Sequence, residues 1–218
     1  MAKTFPGFQE GYPAMKITAV LMLKAPRPGT VKTRLAKDIG SKPAADIYRS
    51  LVEHQIRQIP AGWRIAFYFA PNDAMAEMKD WLLPYAPEAS FVPQCGGDLG
   101  ARMLAAVTGE MAAGQEAVAL IGGDCPHLSR AYLEEARFLC READVVIGPS
   151  PDGGYVLLLQ KKPHPRLFEK IAWSSPSVFS STMASAQSLA LKVRTMEPLE
   201  DIDDLESWRR FRRWNPSF

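Results

Sequence analysis

Short apolar segments that alternate with amphipathic ones constrain the fold of this chain more than any other feature. Five segments have the length of strands and few polar positions, which predicts strands buried on both faces of a sheet. Segments with apolar residues at every third or fourth position lie between most of them, and this period predicts helices. Such alternation is typical of an α/β fold with an open, mainly parallel sheet flanked by helices. The predicted strands are residues 17–24, 64–70, 117–121, 144–148 and 155–160.

The same alternation continues to the end of the chain, without a repeat or a linker, and predicts a single domain. A short helix that carries Leu35 should end at Gly40. Near the C-terminus, Leu205, Trp208 and Phe211 recur at steps of three and predict the buried face of a closing helix, whose arginines reach solvent. Further helices are predicted over residues 42–59, 75–83, 98–114, 178–189 and 204–213 and after Ser129, with a sixth strand over residues 192–196.

Composition restricts the class of protein. The chain has 218 residues, of which 47% are hydrophobic, and this is too apolar a composition for a disordered chain. The 26 Lys and Arg residues against 24 Asp and Glu give a formal net charge of +2. A general nucleic-acid binder needs a clear basic excess, so we expect no nucleic-acid partner. No apolar run approaches the roughly 20 residues of a membrane span, so we expect no membrane partner either.

The N-terminus and the cysteines indicate where the protein works. Residues 1–10 contain no apolar signal core, so residues 1–15 are interpreted as a loose leader and residues 16–218 as the domain. Three cysteines without a C-x-x-C pair predict neither a disulfide framework nor a zinc site. Cys125 is interpreted as a structural thiol because no histidine is evidently paired with it. We therefore expect a cytoplasmic location.

The turn after the first predicted strand is strongly basic. Five positive residues and no carboxylate lie from Lys24 to Lys37. A strand–loop–helix turn directs backbone N–H groups and a helix N-terminus to one point, where anions bind. Lys32 and Arg34 would add direct phosphate contacts at that point. On the sequence alone, a basic loop that only faces solvent remains an alternative.

A second candidate is Asp124, which follows the predicted strand 117–121 in a Gly-Gly-Asp-Cys-Pro turn. A carboxylate held at a strand end is a good ligand for Mg²⁺, or Mn²⁺ in its place, because Mg²⁺ prefers one or two carboxylates together with phosphate oxygens. The alternative is an aspartate that accepts hydrogen bonds from its own turn.

Two further acidic segments also allow two interpretations each. Asp152 precedes Gly153 and Gly154, which either let the backbone approach a ligand or form a tight hairpin. Residues 201–204 contain three carboxylates before the closing helix. They either cap that helix or supply a second metal ligand that meets Asp124.

Several enzyme classes lose support because their motifs are incomplete. Val31 stands where a P-loop has glycine before the lysine, and residues 96–100 miss the G-x-G-x-x-G pattern. Asp152 stands where the nucleophile elbow requires its last glycine. The three histidines are far apart in the sequence and form no recognisable ligand set: His54, His127 and His164.

Six short motifs occur in a fixed order over residues 16–210. They are Lys24-x-Pro26-x-x-Gly29-x-Val31-Lys32-Thr33-Arg34-Leu35, Asp98-Leu99-Gly100-x-Arg102-Met103, Gly123-Asp124-Cys125-Pro126, Gly148-Pro149-x-x-Asp152-Gly153-Gly154-Tyr155, Trp173-Ser174 and Asp201-x-Asp203. In this order they resemble the GT-A-type glycosyltransferases of the nucleotide-diphospho-sugar transferase-like family. The chain is more distantly similar to 2-phospho-L-lactate guanylyltransferase, which also carries a Lys-Ser/Thr-Arg-Leu segment.

The resemblance implies a GT-A fold and roles for individual residues. It implies that Asp124 holds the divalent cation and that Asp203 completes the site, with Asp201 as the other candidate for that second ligand. One departure is that Pro26 and Pro28 stiffen a first loop that is glycine-rich in nucleotidyltransferases of this fold. The implied nucleotide-binding residues are Lys24, Gly29, Lys32, Arg34, Asp98, Gly100 and Arg102, and the implied acceptor-side residues are Asp152, Gly153, Gly154, Trp173 and Ser174.

These observations predict a Mg²⁺-dependent transferase whose donor is a nucleotide or a nucleotide-diphospho-sugar and whose acceptor is a small molecule. Lys32, Arg34 and the metal at Asp124 would stabilise the departing phosphate group, and no protein nucleophile is needed. The stiffened first loop leaves nucleotidyl and glycosyl transfer both open. The alternative function is a non-catalytic nucleotide-binding or sensing protein that retains the fold.

Overall fold

Seven strands form one sheet in the computed structural model, which describes residues 15–216 and 218. The strands are β1 (Ile17–Lys24), β2 (Arg64–Ala70), β3 (Ser90–Pro93), β4 (Ala117–Ile121), β5 (Val145–Pro149), β6 (Tyr155–Gln160) and β7 (Val193–Thr195). The helices are α1 (Thr33–Ile39), α2 (Ser41–Gln58), α3 (Met75–Leu82), α4 (Leu99–Ala112), α5 (Arg130–Cys140), α6 (Val178–Ser188) and α7 (Leu205–Trp214).

The sheet has the strand order β3-β2-β1-β4-β6-β5-β7 and is mainly parallel. β1 pairs in parallel with β2 and β4, β2 with β3, and β5 with β7. Only β6 runs antiparallel to its two neighbours, β4 and β5, within the described residues. The carboxyl ends of β1, β2, β4 and β5 therefore lie at the same edge as the start of β6. This arrangement confirms the predicted single-domain, mainly parallel α/β sheet.

Apolar side chains on both faces explain why the central strands are buried. In β1, Ala19, Leu21 and Leu23 pack on one face, where α2, α3 and α5 cover the sheet. Val20 packs on the other face, against residues of α4 and α6. The period of two along a strand sends neighbouring residues to opposite faces, so a strand between two helical layers is mainly apolar along its length.

One edge of the sheet differs from the prediction, whereas the other edge strand, β7, lies within the strand predicted over residues 192–196. β3 was not predicted: its four residues are only half-buried or exposed, and one of them is Pro93. Edge strands are often short and tolerate proline because one side of the ladder has no partner. The predicted leader falls on residues 1–14, which lie outside the described residues, and on Met15. Within residues 15–216 and 218, no helix combines the length and the apolar character that crossing a membrane takes.

The closing helix α7 packs through part of the stripe predicted for it. Phe211 is buried and Trp208 half-buried, and both pack with Leu51 of α2 and with Ile202. Leu205 is half-buried and lies instead in a shallow depression between α1 and α7. The exposed arginines Arg209 and Arg213 follow the amphipathic pattern.

Candidate functional site

A cleft of about 840 Å³ opens at the carboxyl ends of β1 and β4. One part of its wall is charged and carries basic residues from the end of β1, the loop after it and the start of α1, together with four aspartates. The other part is apolar and comes from the strand ends, α4 and the segment before α6. The charged lining residues are Lys24, Lys32, Arg34, Asp124, Asp152, Asp201 and Asp203, and the main apolar ones are Met22, Leu99, Met103, Leu120, Tyr155, Val156, Trp173 and Val178.

The loop after β1 directs some of its basic residues into the cleft and others away. The Lys24 backbone N–H donates to the Tyr48 hydroxyl at 3.1 Å, which fixes the end of β1 against α2. Arg27 points away from the cleft and pairs with Glu77 at 2.9 Å and with Asp73 at 3.5 Å. Gly29 has φ +85° and lies outside the cleft lining, so here it serves the turn. Its predicted contact with nucleotide stays a prediction.

Lys32 is the most enclosed charged side chain of the cleft. Its side chain is 4% exposed, and Nζ donates to Asp124 Oδ2 at 2.7 Å and to Asp203 Oδ1 at 3.1 Å. Burial of the ammonium disfavours its charged form, but the attraction of the two carboxylates outweighs burial and raises the pKa of Lys32. Lys32 is therefore charged in the folded protein at neutral pH.

Arg34 lies at the mouth of the same charged group. Its Nη1 is 3.6 Å from Asp203 Oδ2, and its side chain is 73% exposed. A guanidinium this open to water forms a weak ion pair with the protein. Its planar fork of donors stays accessible to an anionic group in the cleft.

Three aspartates from two loops meet beside Lys32. Asp124 follows β4, whereas Asp201 and Asp203 precede α7, and one carboxylate oxygen of each lies within 4.8 Å of the others. The Ile202 backbone N–H donates to the Asp124 carbonyl at 3.0 Å, and this bond joins the two loops. Asp201 also accepts from the Ser150 hydroxyl at 3.3 Å. Burial, reinforced by the neighbouring carboxylates, raises the pKa of Asp201 to about 6.

The carboxylates of residues 201–204 divide between the two interpretations that the sequence left open. Asp204 is the N-cap of α7, where its carboxylate accepts a hydrogen bond from the Ser207 backbone N–H at 2.9 Å. Hydrogen bonds from the backbone and the side chain of Ser207 lower the pKa of Asp204. Asp201 and Asp203 instead face Asp124 in the cleft. The segment therefore both caps a helix and adds acids to the site.

Glycine and cysteine beside Asp124 serve packing. A Cβ on Gly123 would lie 2.6 Å from a Leu23 methyl group, so the turn needs glycine there to approach β1. The buried Cys125 thiol donates to the Glu200 carbonyl at 3.4 Å. Burial raises its pKa to about 12, which leaves it protonated and unreactive at neutral pH. Both observations agree with a structural role for this thiol.

The loop between β5 and β6 forms a hairpin that also lines the cleft. Asp152 accepts from the Gly154 backbone N–H at 2.9 Å, and both residues line the cleft. Gly153 has φ +89°, and a Cβ there would lie 2.6 Å from the carbonyl carbon of Pro176. Trp173 and Ser174 line the cleft just before this contact. Gly153 itself lies behind the lining and sets the approach of the two loops.

Three of the predicted nucleotide-side residues lie beside the cleft lining. Asp98 caps α4 and accepts from the Ala101 backbone N–H at 2.8 Å, and Arg102 Nε donates to the Gly97 carbonyl at 3.1 Å. A Cβ on Gly100 would lie 2.5 Å from the Phe168 carbonyl oxygen and 2.8 Å from the Trp173 ring. The structure thus gives each a local role, and their contact with base and ribose stays a prediction.

Sequence reasoning predicted Trp173 but missed the rest of the apolar half of the cleft, and it missed Tyr48. Tyr48 is buried in mid-helix, where its spacing matches that of any core residue, and burial raises its pKa. Leu99 and Met103 carried a weak signal, because both stand in the Asp98–Met103 motif on which the family resemblance rests. The histidines stand elsewhere: His54 packs on Phe218 and His127 on Phe211, with ring centroids 5.3 Å and 5.5 Å apart.

Comparison with solved structures places the fold among nucleotide-dependent transferases. A candidate nucleotide-diphospho-sugar transferase from Desulfovibrio desulfuricans G20 is 28% identical, with a TM-score of 0.86, over 94% of this chain and 89% of that one. The 4-diphosphocytidyl-2C-methyl-D-erythritol synthase of Anaerococcus prevotii is 13% identical, with a TM-score of 0.64, over 93% and 99% of the two chains. A cytidylyltransferase from Leptospira borgpetersenii is 11% identical, with a TM-score of 0.58, over 94% and 88%.

Sequence comparison gives the family. No curated protein matches the chain. Residues 56–175, which run from the end of α2 to the segment before α6, match the family described as "Uncharacterized protein conserved in bacteria (DUF2064)". This match spans more than half of the chain and includes Asp98, Asp124 and Asp152. The chain therefore belongs to the DUF2064 family, and its fold is that of the nucleotide-diphospho-sugar transferases.

Proposed function

We propose that this protein is a divalent-metal-dependent transferase whose donor is a nucleotide or a nucleotide-diphospho-sugar and whose acceptor is a small molecule. One observation carries the proposal: a single cleft at the carboxyl ends of the strands holds three basic residues beside a group of aspartates. Ligands bind at this edge in open α/β sheets. A cleft that contains both kinds of charge suits a phosphate ester together with the cation that neutralises it.

The aspartates fit a divalent cation. Asp124, Asp201 and Asp203 bring one oxygen each within 4.8 Å of the others, and Mg²⁺ and Mn²⁺ prefer oxygen ligands of this kind. We assign the metal to Asp124 and Asp203, with Asp201 as a further ligand. A cation bound there would neutralise charge on the phosphate oxygens as the bond to the leaving group breaks.

The basic residues have complementary roles. Lys24 and Arg34 line the cleft on the side of the loop after β1, where they would bind phosphate oxygens of the donor. Lys32, whose side chain lines the same cleft, would stabilise the negative charge that develops on the departing pyrophosphate or nucleoside diphosphate. Because the leaving group carries the developing charge, positioning and neutralisation suffice, and no side chain has to act as a nucleophile.

The apolar half of the cleft suits the organic parts of the substrates. Leu99 and Met103 at the start of α4 would face the base and ribose, next to the positions Asp98, Gly100 and Arg102 implied by the family resemblance. Trp173, Ser174 and the Asp152–Gly154 turn would form the acceptor side. Rings and apolar side chains provide area for a base or sugar face, and nearby backbone groups provide hydrogen bonds.

The likeness to transferase structures supports this proposal. The Desulfovibrio desulfuricans protein that shares 94% of this chain's length is named as a candidate nucleotide-diphospho-sugar transferase. The more distant structures of the same fold are named as a 4-diphosphocytidyl-2C-methyl-D-erythritol synthase and a cytidylyltransferase. Glycosyl transfer from a nucleotide-sugar releases a nucleoside diphosphate and nucleotidyl transfer from a triphosphate releases pyrophosphate, and the charges of the cleft suit either leaving group.

A thermal-shift screen tests the proposal first. Nucleoside triphosphates and nucleotide-sugars are added with Mg²⁺, with Mn²⁺ and with a chelator. A ligand at 100 times its Kd should stabilise the protein by about 2.7 kcal/mol, and we expect this only with the metal. If no nucleotide or nucleotide-sugar raises the melting temperature under any condition, the proposed donor class is wrong.

A turnover assay then tests catalysis. With the donor found in the screen and a panel of small hydroxyl, amine and phosphate acceptors, we expect release of pyrophosphate or nucleoside diphosphate over many turnovers. The identity of the released product distinguishes nucleotidyl from glycosyl transfer. Binding without release from any donor–acceptor pair would indicate a nucleotide sensor instead of an enzyme.

A further inference from the structure

The Lys32 ammonium lies at the carboxylates to which we assign the metal. Its Nζ is 2.7 Å from Asp124 Oδ2 and 3.1 Å from Asp203 Oδ1, and its side chain is 4% exposed. A lysine in a basic loop could face solvent, as Arg34 does at 73% exposed. Lys32 is instead shielded from water and donates two charge-assisted hydrogen bonds, so the two carboxylates are already paired with a positive charge.

The backbone of Lys32 is set for this contact. Lys32 has φ +46° and ψ +46°, a left-handed conformation that is unfavourable for a residue with a Cβ. It precedes α1, and its carbonyl accepts the Ala36 backbone N–H at 2.8 Å, while Val31 beside it is buried. These contacts hold the main chain in the strained conformation and aim the side chain at the aspartates.

We propose that Lys32 occupies the divalent-cation position in the metal-free protein and is displaced from it when the cation binds. An ammonium at hydrogen-bond distance and a metal at coordination distance cannot share the same oxygens without close cation–cation contact. The flexible four-carbon stem lets the ammonium move while the backbone stays in place. This inference rests on the proposed metal assignment and adds to it a competition between two cations for one set of carboxylates.

The competition couples the metal to the donor. A displaced Lys32 remains in the cleft near Lys24 and Arg34, where phosphate oxygens of the donor would accept its hydrogen bonds. A donor phosphate that holds the ammonium frees the carboxylates for the metal. By linkage, each ligand then strengthens the other by the same factor, and the free protein binds metal weakly.

The first experiment measures Mn²⁺ binding to the nucleotide-free protein by electron paramagnetic resonance. We compare the wild type with Lys32→Met, which keeps the length of the stem and removes the charge. Arg34→Met is the matched control, because it removes a positive charge that is also near Asp203 but exposed. We expect Lys32→Met to bind Mn²⁺ at least about tenfold more tightly than the wild type, and Arg34→Met less than about threefold.

Two results would overturn the competition. One is an Mn²⁺ affinity of Lys32→Met that equals that of the wild type. The other is an equal gain in both variants, which would mean that general charge and not occupancy of the site limits metal binding. Lys32→Gln, which keeps a polar end that can bond to the carboxylates, repeats the comparison if Lys32→Met does not fold.

The second experiment uses the wild type alone. The ammonium of Lys32, enclosed and hydrogen-bonded, should give a protected side-chain ¹⁵N signal in nuclear magnetic resonance spectra of the metal-free protein. We expect saturating Mg²⁺ to shift that signal to the position of a solvated lysine or to broaden it away. A signal that stays unchanged at saturating Mg²⁺ would show that Lys32 keeps its carboxylates, and the proposal would fail.

A third variant separates this inference from the proposed function. Asp124→Asn introduced into Lys32→Met should weaken Mn²⁺ binding, because it removes a ligand of the proposed site. If the double variant binds Mn²⁺ as tightly as Lys32→Met, the metal assignment itself is wrong and the proposed competition fails with it. If the double variant binds Mn²⁺ more weakly but Lys32→Met alone gains no affinity, the competition is refuted while the metal site and the proposed function stand.

Discussion

Gly153→Ala tests whether the hairpin between β5 and β6 and the loop before α6 are held in close contact. The substitution acts in two ways, because Gly153 has φ +89° and because a Cβ there would lie 2.6 Å from the Pro176 carbonyl carbon. The left-handed backbone alone costs a residue with a Cβ about 1–2 kcal/mol. The steric overlap adds about 1–3 kcal/mol, the usual cost of forcing a side chain into a packed region.

Gly62→Ala is the matched control for the first cost. Gly62 has φ +86°, and a Cβ built on it meets no atom within 4 Å, so only the backbone cost applies. Urea unfolding should give a loss of about 1–2 kcal/mol for Gly62→Ala and about 2–5 kcal/mol for Gly153→Ala, with unchanged m-values. Equal losses in the two variants would refute the close contact between the loops.

The contact also matters for the cleft. Phe179 donates its backbone N–H to the Gly153 carbonyl at 2.8 Å, so movement of the hairpin pulls on the start of α6. Trp173 and Ser174 lie on the same segment and line the cleft, and the Trp173 ring lies close to Gly100 on the nucleotide side. We therefore expect Gly153→Ala to weaken nucleotide binding beyond what its loss of stability causes, and Gly62→Ala to leave binding unchanged. The comparison is made with each variant fully folded.

Three further predictions concern individual side chains. In titration calorimetry, Arg34→Ala should weaken binding of the nucleotide found in the screen by about tenfold, the value of one lost charge-assisted hydrogen bond. Arg27→Ala is the control: it removes only the ion pairs with Glu77 and Asp73, so it should leave the nucleotide affinity unchanged. Burial, aided by Arg57 and His127, lowers the pKa of His54 in the folded protein below 6.5. Near and below pH 6.5 the unfolded chain therefore binds more protons at His54 than the folded protein does. The free energy of unfolding should accordingly fall as the pH drops below about 6.5, and His54→Gln should reduce that slope; an unchanged slope would contradict it. With a thiol reagent at neutral pH the exposed Cys95 should react at once, and Cys125 and Cys140, with pKa values raised by burial to about 12 and about 11, only after unfolding.

The central strands were predictable because burial on both faces requires apolar residues at nearly every position, and such short apolar runs are visible in the sequence. β1, β2, β4 and β6 each have the bounds predicted from a short, mainly apolar run, since a strand covered on both faces by helices has few solvent-facing positions. The exposed residues of these strands, Lys24 and Arg64, lie at strand ends. β3 has no such run. An edge strand of four half-buried residues resembles any short loop, and only its pairing with β2 makes it a strand.

The candidate site was predictable where it depends on local chain geometry. Asp124 and the loop that carries Lys32 stand directly after buried strands, and parallel strands place such turns at one edge. The pairing of Lys32 with the acids could not be predicted. Its partners are 92 and 171 residues away in the chain, and nothing in a local pattern favours one distant carboxylate over another.

Tyr48 and the apolar wall other than Trp173 could not be predicted for a different reason. Residues that line a cleft from inside a helix or strand have the same spacing as core residues, because both point inward. Met103 of α4 and Met22 of β1 pack in the apolar core on the face of the sheet covered by α4 and α6, and both also line the cleft. Such positions become distinguishable only when the structure shows where the core ends.

The metal dependence of nucleotide binding tests the central claim most directly. The affinity for the nucleotide found in the screen is measured by titration calorimetry with Mg²⁺ and with a chelator, for the wild type, Asp124→Asn and Glu142→Gln. Glu142 is the control carboxylate, exposed and 4.0 Å from Arg194 at the opposite edge of the sheet.

We expect Mg²⁺ to tighten binding at least about tenfold in the wild type and in Glu142→Gln, and less than about threefold in Asp124→Asn. An Asp124→Asn variant that is folded and keeps the full effect of Mg²⁺ would contradict the assignment of this cleft as a metal-dependent nucleotide site.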